Sequence, residues 1–264
     1  MFKCRLCQSN DTSSIIPLGK MPLANALTES PEPNCKRYNL EVMLCNSCGL
    51  AQLKDLVDPE ELFTNYVYFS SNSDLMLESA RNLVKKTIPN IPLNSHVIEI
   101  ASNDGYLLKN YVENNINVLG IDPAKNIVNE ANSRGIKTIC SFFSYNLAKR
   151  LKEKNQLADV IHANNVMAHI PDINDFIKGL KTLLKPQGKI IIEIPYFLDL
   201  VNKLEFDTIY HEHVYYFALK PLVKAFKIQK LHIYSLEKLS IHGGSLRLYI
   251  THENEKQEEK IIRD

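Results

Sequence analysis

Residues 97–108 read VIEIASNDGYLL, and this stretch decides the fold. VIEIA is an apolar run of strand length. The turn Ser102-Asn103-Asp104-Gly105 then leads into DGYLLKNYVEN (104–114), whose apolar residues recur at helical spacing. Working outward, the same alternation repeats. NVLGID (117–122) reads as a strand and AKNIVNEANSR (124–134) as a helix ending at Gly135. KTICS (137–141) is a strand before a helix over 145–154, and ADVIHANN (158–165) a strand before a helix over 172–184. KIIIEIP (189–195) is the fifth strand. Strands alternating with helices of this length predict a doubly wound, Rossmann-like α/β sheet with right-handed crossovers. After an irregular stretch (196–217) come a helix (219–227) and two strands, QKLHIYSL and SLRLYIT, joined through His242-Gly243-Gly244. That makes seven strands, mostly parallel. Upstream, DLMLESARNLVKKT (74–87) has helical spacing and stops before Pro89, and 89–95 reads as a linker.

In such a sheet, ligands bind beyond the carboxyl ends of the strands, where strand order reverses. The first strand ends at Glu99-Ile100-Ala101 and turns through Ser102, Asn103 and Gly105; the second ends at Asp122. An acidic residue there can hydrogen-bond both ribose hydroxyls of an adenosine. The turn holds one Gly where a dinucleotide fingerprint has three, so a pyrophosphate fits poorly. An adenosine without phosphates, as in S-adenosylmethionine, fits; a Rossmann-like turn without a ligand is the plain alternative.

Residues 1 to about 60 differ in character. Pro17, Pro22, Pro31, Pro33 and Pro59 separate short apolar runs, which reads as a turn-rich segment with little core of its own. Four of the six cysteines form two Cys-x-x-Cys pairs, Cys4/Cys7 and Cys45/Cys48. Two such knuckles close a tetrahedral, structural zinc site; a redox pair is the alternative. Lys3, Arg5 and Lys36 are placed to offset the thiolate charge, and Cys35 and Cys140 read as small buried hydrophobes.

Composition bounds the function. The 264 residues carry 31 Lys+Arg against 30 Asp+Glu, a net charge of +1, which gives no general grip on phosphate backbones and argues against nucleic-acid partners. No apolar run reaches the roughly 18 residues that span a bilayer, and the N-terminus lacks a signal-peptide core. A soluble, cytoplasmic protein is expected, with a charged, frayed tail over 253–264.

Several motifs, in order, resemble a known family. VIEIASNDGYLL, GIDPA (120–124) and ANNVMAHIPD (163–172) look like class I S-adenosylmethionine-dependent methyltransferases. LGKMPLANAL (18–27), Tyr66-Val-Tyr68-Phe-Ser70-Ser71, FDTIYHEH (206–213) and the HGGSxR block from His242 to Arg247 resemble the sugar C-methyltransferases that act on nucleotide-linked 4-keto-deoxysugars. The resemblance implies a zinc-binding N-terminal domain and lid over 1–73, and a methyltransferase domain over 74–264. It implies cofactor contacts from Glu99, Ala101, Ser102, Asn103, Gly105, Asp122, Asn164 and the lid residue Tyr68. It also implies metal ligation by Cys4, Cys7, Cys45 and Cys48. Typical members continue into a further C-terminal domain, so a partner supplying that domain is a second expectation.

Carbon methylation needs a carbanion equivalent, which a sugar supplies beside a ketone: a base takes the α-proton and a donor holds the enolate oxygen. Histidine suits the base role at neutral pH. The resemblance places the base at His213, with Glu212 and Tyr210 assisting and His169 facing the same pocket. Without it, the His211-x-His213 pair reads as a strand pair able to bind metal, or as core or capping histidines. Tyr215, Tyr216 and Phe217 read as packing. O- or N-methylation of another small acceptor is the alternative activity.

Overall fold

The computed structural model describes residues 2–27, 29, 35–64 and 66–254. Most of the tail expected to fray, residues 255–264, lies outside them. β1 (Thr12–Pro22) and β2 (Arg37–Cys45) pair antiparallel, and β3 (Ala51–Leu53) adds to β2. The segment read as turn-rich is therefore a long hairpin. Register shifts between Ser14/Ile16 and Pro17/Gly19 absorb the proline and glycine on an edge strand, where a missing N–H costs no ladder bond. A short helix, α1 (Pro59–Phe63), follows, N-capped by Asp58.

α2 (Asp74–Thr87) has the expected limits. Ser73 caps its first turn, and Met76, Ala80, Leu83 and Val84 form the buried stripe. The large sheet then runs through β4 (His96–Ile100), α3 (Leu108–Val112), β5 (Asn117–Asp122), α4 (Lys125–Ser133), β6 (Thr138–Cys140), α5 (Tyr145–Glu153), β7 (Ala158–Asn164), α6 (Ile173–Leu183) and β8 (Leu184–Pro195). It finishes with α7 (Phe197–Lys203), β9 (Tyr215–Tyr216), α8 (Leu219–Ile228), β10 (Leu231–Leu239) and β11 (Ser245–His252). Strand order is β10-β11-β8-β7-β4-β5-β6, with β11 the antiparallel strand. The chain leaves β4 toward β5 and β6, then returns to β7 on the other flank of β4, so the switch point lies at the carboxyl ends of β4, β5 and β7.

Both faces of this sheet are covered. Ile98 and Ile100 pack with α5, α6 and α8, and Val97 packs with α2 and α3. That is why these strands read as near-continuous apolar runs. Among the described residues no helix is long and apolar enough to cross a membrane.

Three element boundaries in the larger domain need correction. The helix expected over 104–114 is regular only over Leu108–Val112, because Asn103 (φ 49°) and Gly105 (φ 80°) keep the preceding turn left-handed. β8 starts at Leu184 rather than at 189, with a register shift against β7 that accommodates Pro186. The stretch read as irregular, 196–217, contains α7 and β9. α7 hid itself because its pattern is inverted: Asp199 is its buried residue, while Leu198 and Val201 face solvent. Asp199 can be inside because Lys238 donates to its Oδ1 at 2.8 Å. β9 joins β3, so the smaller sheet reads β1-β2-β3-β9 and is completed from far along the chain.

Candidate active site

A cavity of about 660 Å³ opens at the switch point. Ala101 (φ 54°), Asn103 and Gly105 are all left-handed, so the turn after β4 alternates the conformation a glycine-rich loop would adopt, with Ala and Asn in two of the three places. One glycine therefore underreports how closely this backbone can approach a ligand. Asn103 is the hub of the turn. Its backbone N–H donates to Asp122 Oδ2 at 3.0 Å, and its side chain clasps the segment above by accepting from Ser70 N (2.8 Å) and donating to Tyr68 O (3.1 Å). Asn126 clasps Tyr66 in the same two-ended way.

Asp122 lines the cavity with each oxygen anchored once, by Asn103 N and by Ala124 N at 2.9 Å. Each oxygen keeps a second acceptor site, the arrangement a vicinal diol needs. Burial pushes this carboxyl up, and the two backbone donors oppose the shift. Ile121, Phe142 and Phe143 give apolar walls for a flat ring, while the side-chain oxygens of Asn164 and Asn165 are buried without hydrogen-bond partners among the described residues. These residues fit an adenosine-bearing sulfonium cofactor: a diol acceptor, apolar ring walls and unpaired polar atoms facing one space.

The far wall holds the histidines. His213 Nδ1 lies 2.8 Å from the Thr208 carbonyl, which can only accept, so Nδ1 carries the proton and Nε2 keeps its lone pair. The Tyr210 hydroxyl lies 3.2 Å from that Nε2. His169 stands beside it, the ring centroids 5.0 Å apart. Burial holds both imidazoles neutral: His169 is pushed down to about 3, with the adjacent His213 further disfavouring its protonation, and His213 is also lowered by burial. Burial and then the nearby Glu212 raise the Tyr210 hydroxyl, keeping it a donor.

Of the residues picked from sequence, Ala101, Asn103, Asp122, Asn164, Tyr68, His169, Tyr210 and His213 line this cavity. Glu99, Ser102, Gly105 and Glu212 stand behind its wall. Glu99 is buried in β4, raised well above the usual range by burial and then by Asp122, Asp104 and Glu193. Glu212 accepts from Asn25 Nδ2, and its Oε2 is unpartnered among the described residues. Sequence reasoning missed Asn25, Phe142, Asn165 and His242. For Asn25, the LGKMPLANAL motif was the available signal. His211 and His213 do not form a strand pair: both lie in a turn before β9, and His211 packs on Tyr38. Tyr215, Tyr216 and Phe217 are buried packing, as read.

The four knuckle sulfurs lie within 4.8 Å of one another, with Cys4–Cys48 at 3.7 Å and Cys7–Cys45 at 3.6 Å. Sulfurs at the corners of a zinc tetrahedron of 2.3 Å radius sit about 3.8 Å apart, so the cluster fits that ion. Lys36 pairs instead with Glu61 at 3.1 Å. Cys140 is exposed at the end of β6 rather than buried.

Sheet order and a switch-point cavity lined by a carboxylate with free acceptor sites are the fold and the kind of cavity found in S-adenosylmethionine-dependent methyltransferases. Residues 4–63 match the family described as "Putative zinc binding domain", and residues 74–235 the one described as "Methyltransferase domain". The chain belongs to this methyltransferase family, with a zinc-binding domain ahead of the catalytic fold. It is 32% identical over 251 residues to C-methyltransferase NovU of Streptomyces niveus, a match covering 94% of this chain and 60% of that protein. The chain thus spans about three fifths of that relative's length. Among solved structures, magnesium protoporphyrin IX methyltransferase of Synechocystis PCC 6803 with bound SAH superposes with a TM-score of 0.53 at 14% identity, covering 67% of this chain and 83% of that one. The PH0226 protein of Pyrococcus horikoshii OT3 gives 0.54 at 14% identity, over 75% of this chain and 100% of that one. At these identities the likeness is one of fold.

Proposed function

We propose that this protein C-methylates a nucleotide-linked 4-keto-deoxysugar through an enolate, with His213 as the base. The observation that carries the reading is the neutral His213, its Nε2 lone pair against Tyr210 and His169 alongside, on the cavity that also holds Asp122. The relative's description as a C-methyltransferase supports the reaction type. Bound S-adenosylmethionine supplies an electrophilic methyl group. Asp122 holds the cofactor's ribose, and the Asn103-clasped segment at Tyr68 covers it. His213 Nε2 accepts the proton from the carbon next to the ketone, directly or through the Tyr210 hydroxyl. The C–H electron pair moves into the enolate, whose oxygen takes a hydrogen bond from His169. A neutral imidazole is the protonation state a base requires, and burial keeps it so at pH 7. Residues 1–73 serve as zinc-binding domain and lid, residues 74–264 as the methyltransferase domain. Selection among sugars by a further domain, on a longer chain or a partner, belongs to the same proposal.

The test is incubation with nucleoside-diphosphate 4-keto-6-deoxysugars in D2O, with and without S-adenosylmethionine, followed by NMR at the α-carbon. Deuterium wash-in without the donor and a carbon-bound methyl with it are expected. A methyl on oxygen or nitrogen, with no wash-in, would replace C-methylation by the other activity.

A further inference from the structure

β3 is three residues long and lies between the metal knuckles and the segment that follows His213. Its middle residue, Gln52, is a fully buried polar side chain used at both ends. Nε2 donates to Cys4 Sγ at 3.2 Å, and Oε1 accepts from Arg5 N at 3.0 Å. The Arg5 guanidinium donates onward to the carbonyls of Leu53 (2.5 Å) and Lys54 (2.9 Å). The first knuckle is thereby fastened to β3 from two sides. A buried amide costs free energy unless it is paired, and an apolar side chain would fill a three-residue strand without that demand. The amide is explained by what it holds.

The other edge of β3 leads to the histidines. Gln52 pairs with Tyr215 and Ala51 with Tyr216. Leu53 N donates to Val214 O at 2.8 Å, and Val214 N donates to Ala168 O at 2.7 Å. Val214 follows His213 and Ala168 precedes His169, so one residue, Val214, bonds the segment before His169 through its N–H and the strand carrying Gln52 through its carbonyl. Asn174, in the first turn of α6, donates to Arg5 O at 2.9 Å and ties the same knuckle to the element after His169.

We infer that Gln52 is a positioning residue through which the zinc knuckle sets the spacing of His169 and His213. The inference rests on the roles proposed above for those two histidines. Four thiolates have reason to converge only around a cation, so the place of Cys4, and with it the register of so short a strand, depends on the ion. Spatial continuity alone does not establish coupling; a response at the imidazoles does.

The test uses the full chain with Gln52→Leu, which removes both bonds at similar volume, and Arg5→Gln, which frees the Leu53 and Lys54 carbonyls and spares the thiolate contact. Zinc transfer to a chromophoric chelator, imidazole 15N–1H spectra across pH and S-adenosylhomocysteine calorimetry are read on each. Gln52→Leu is expected to weaken zinc about 10–100-fold. It should also shift the His169 and His213 resonances and leave S-adenosylhomocysteine affinity within twofold. Where wild type washes deuterium into a ketosugar, kcat for wash-in should fall about tenfold with little change in KM. Weakened zinc with unmoved imidazole resonances would make the metal a local staple and overturn the inference, as would unchanged zinc affinity. If Gln52→Leu does not fold, the imidazole resonances of wild type before and after the chelator strips its zinc decide: resonances that stay put overturn the inference, and shifts at His169 and His213 support it. The imidazole readout needs no substrate, so failure of the ketosugar assay in wild type leaves this test standing and counts only against the proposed reaction.

Discussion

Gly105→Ala probes the turn on which the cofactor site is built. The residue sits at φ 80°, and a Cβ there would meet Ile136 Cγ1 at 2.8 Å and its Cβ and Cγ2 at 3.0 Å. Ile136 is β-branched and buried in the α2–α3 core, so its Cβ cannot swing aside as the end of a long side chain would. Two costs add: about 1–2 kcal/mol for a left-handed alanine and about 1–3 kcal/mol for overpacking. Gly135 separates them. It lies at φ 79° with nothing within 4 Å of a Cβ, so Gly135→Ala incurs the backbone cost alone. Urea unfolding of the two variants should differ by about 1–3 kcal/mol, the steric part, with Gly105→Ala the less stable. Combining Gly105→Ala with Ile136→Ala should recover most of that difference as a coupling free energy. S-adenosylhomocysteine affinity, measured by calorimetry, should drop for Gly105→Ala and hold for Gly135→Ala. Coincident unfolding midpoints for the two variants would refute the claim that Ile136 polices this turn.

Four further outcomes are expected. His213→Asn should keep S-adenosylhomocysteine binding and lower methyl transfer by about 10²-fold or more, the size of a lost general base; near-normal turnover would remove His213 from that role. Asp122→Ala should weaken S-adenosylhomocysteine by about 10²-fold in calorimetry, since it deletes a charged acceptor and frees the Asn103 and Ala124 N–H groups. Cys45→Ser should lower bound zinc in metal analysis and loosen residues 2–53 to limited proteolysis; full zinc retention would count against the four-sulfur site. His162 is fully buried against Tyr111 and pushed down to about 3 by burial, so its neutral form is favoured in the fold. Its contribution is complete above about pH 6.5 and is lost as pH falls toward its folded value. From pH 6.5 to pH 5 that loss is about 2 kcal/mol, and His162→Gln should flatten the unfolding profile by that amount.

The large sheet was legible because its strands are buried on both faces and its helices are amphipathic, so period alone separates them. Asn117–Asp122 and Asp74–Thr87 fall where hydropathy puts them. The metal knuckles were legible because spacing carries their chemistry. What stayed hidden follows a different logic. The β1–β2 hairpin was obscured by prolines that an edge strand tolerates, and α7 by a buried aspartate whose lysine partner is 39 positions away. The left-handed Ala101 and Asn103 defeat a reading that waits for glycine. The Asn25–Glu212 contact spans 187 positions, which no local pattern can reveal. His169 and His213 were singled out by motif, but the Val214 bridge between their segments is visible only in three dimensions.

The strand that completes the smaller sheet carries a consequence for synthesis. Tyr215 pairs with Gln52 from 163 positions further along. At roughly 5–20 residues per second, a ribosome delivers it about 8–33 s after Gln52. During that interval the cysteines of both knuckles have left the tunnel while one edge of their sheet lies bare. Metal loading in this window would stabilise the hairpin before its last neighbour arrives; oxidation in the same window would trap the thiols as disulfides. The order of those two events sets whether the knuckle cysteines meet the arriving strand as metal ligands or as disulfides.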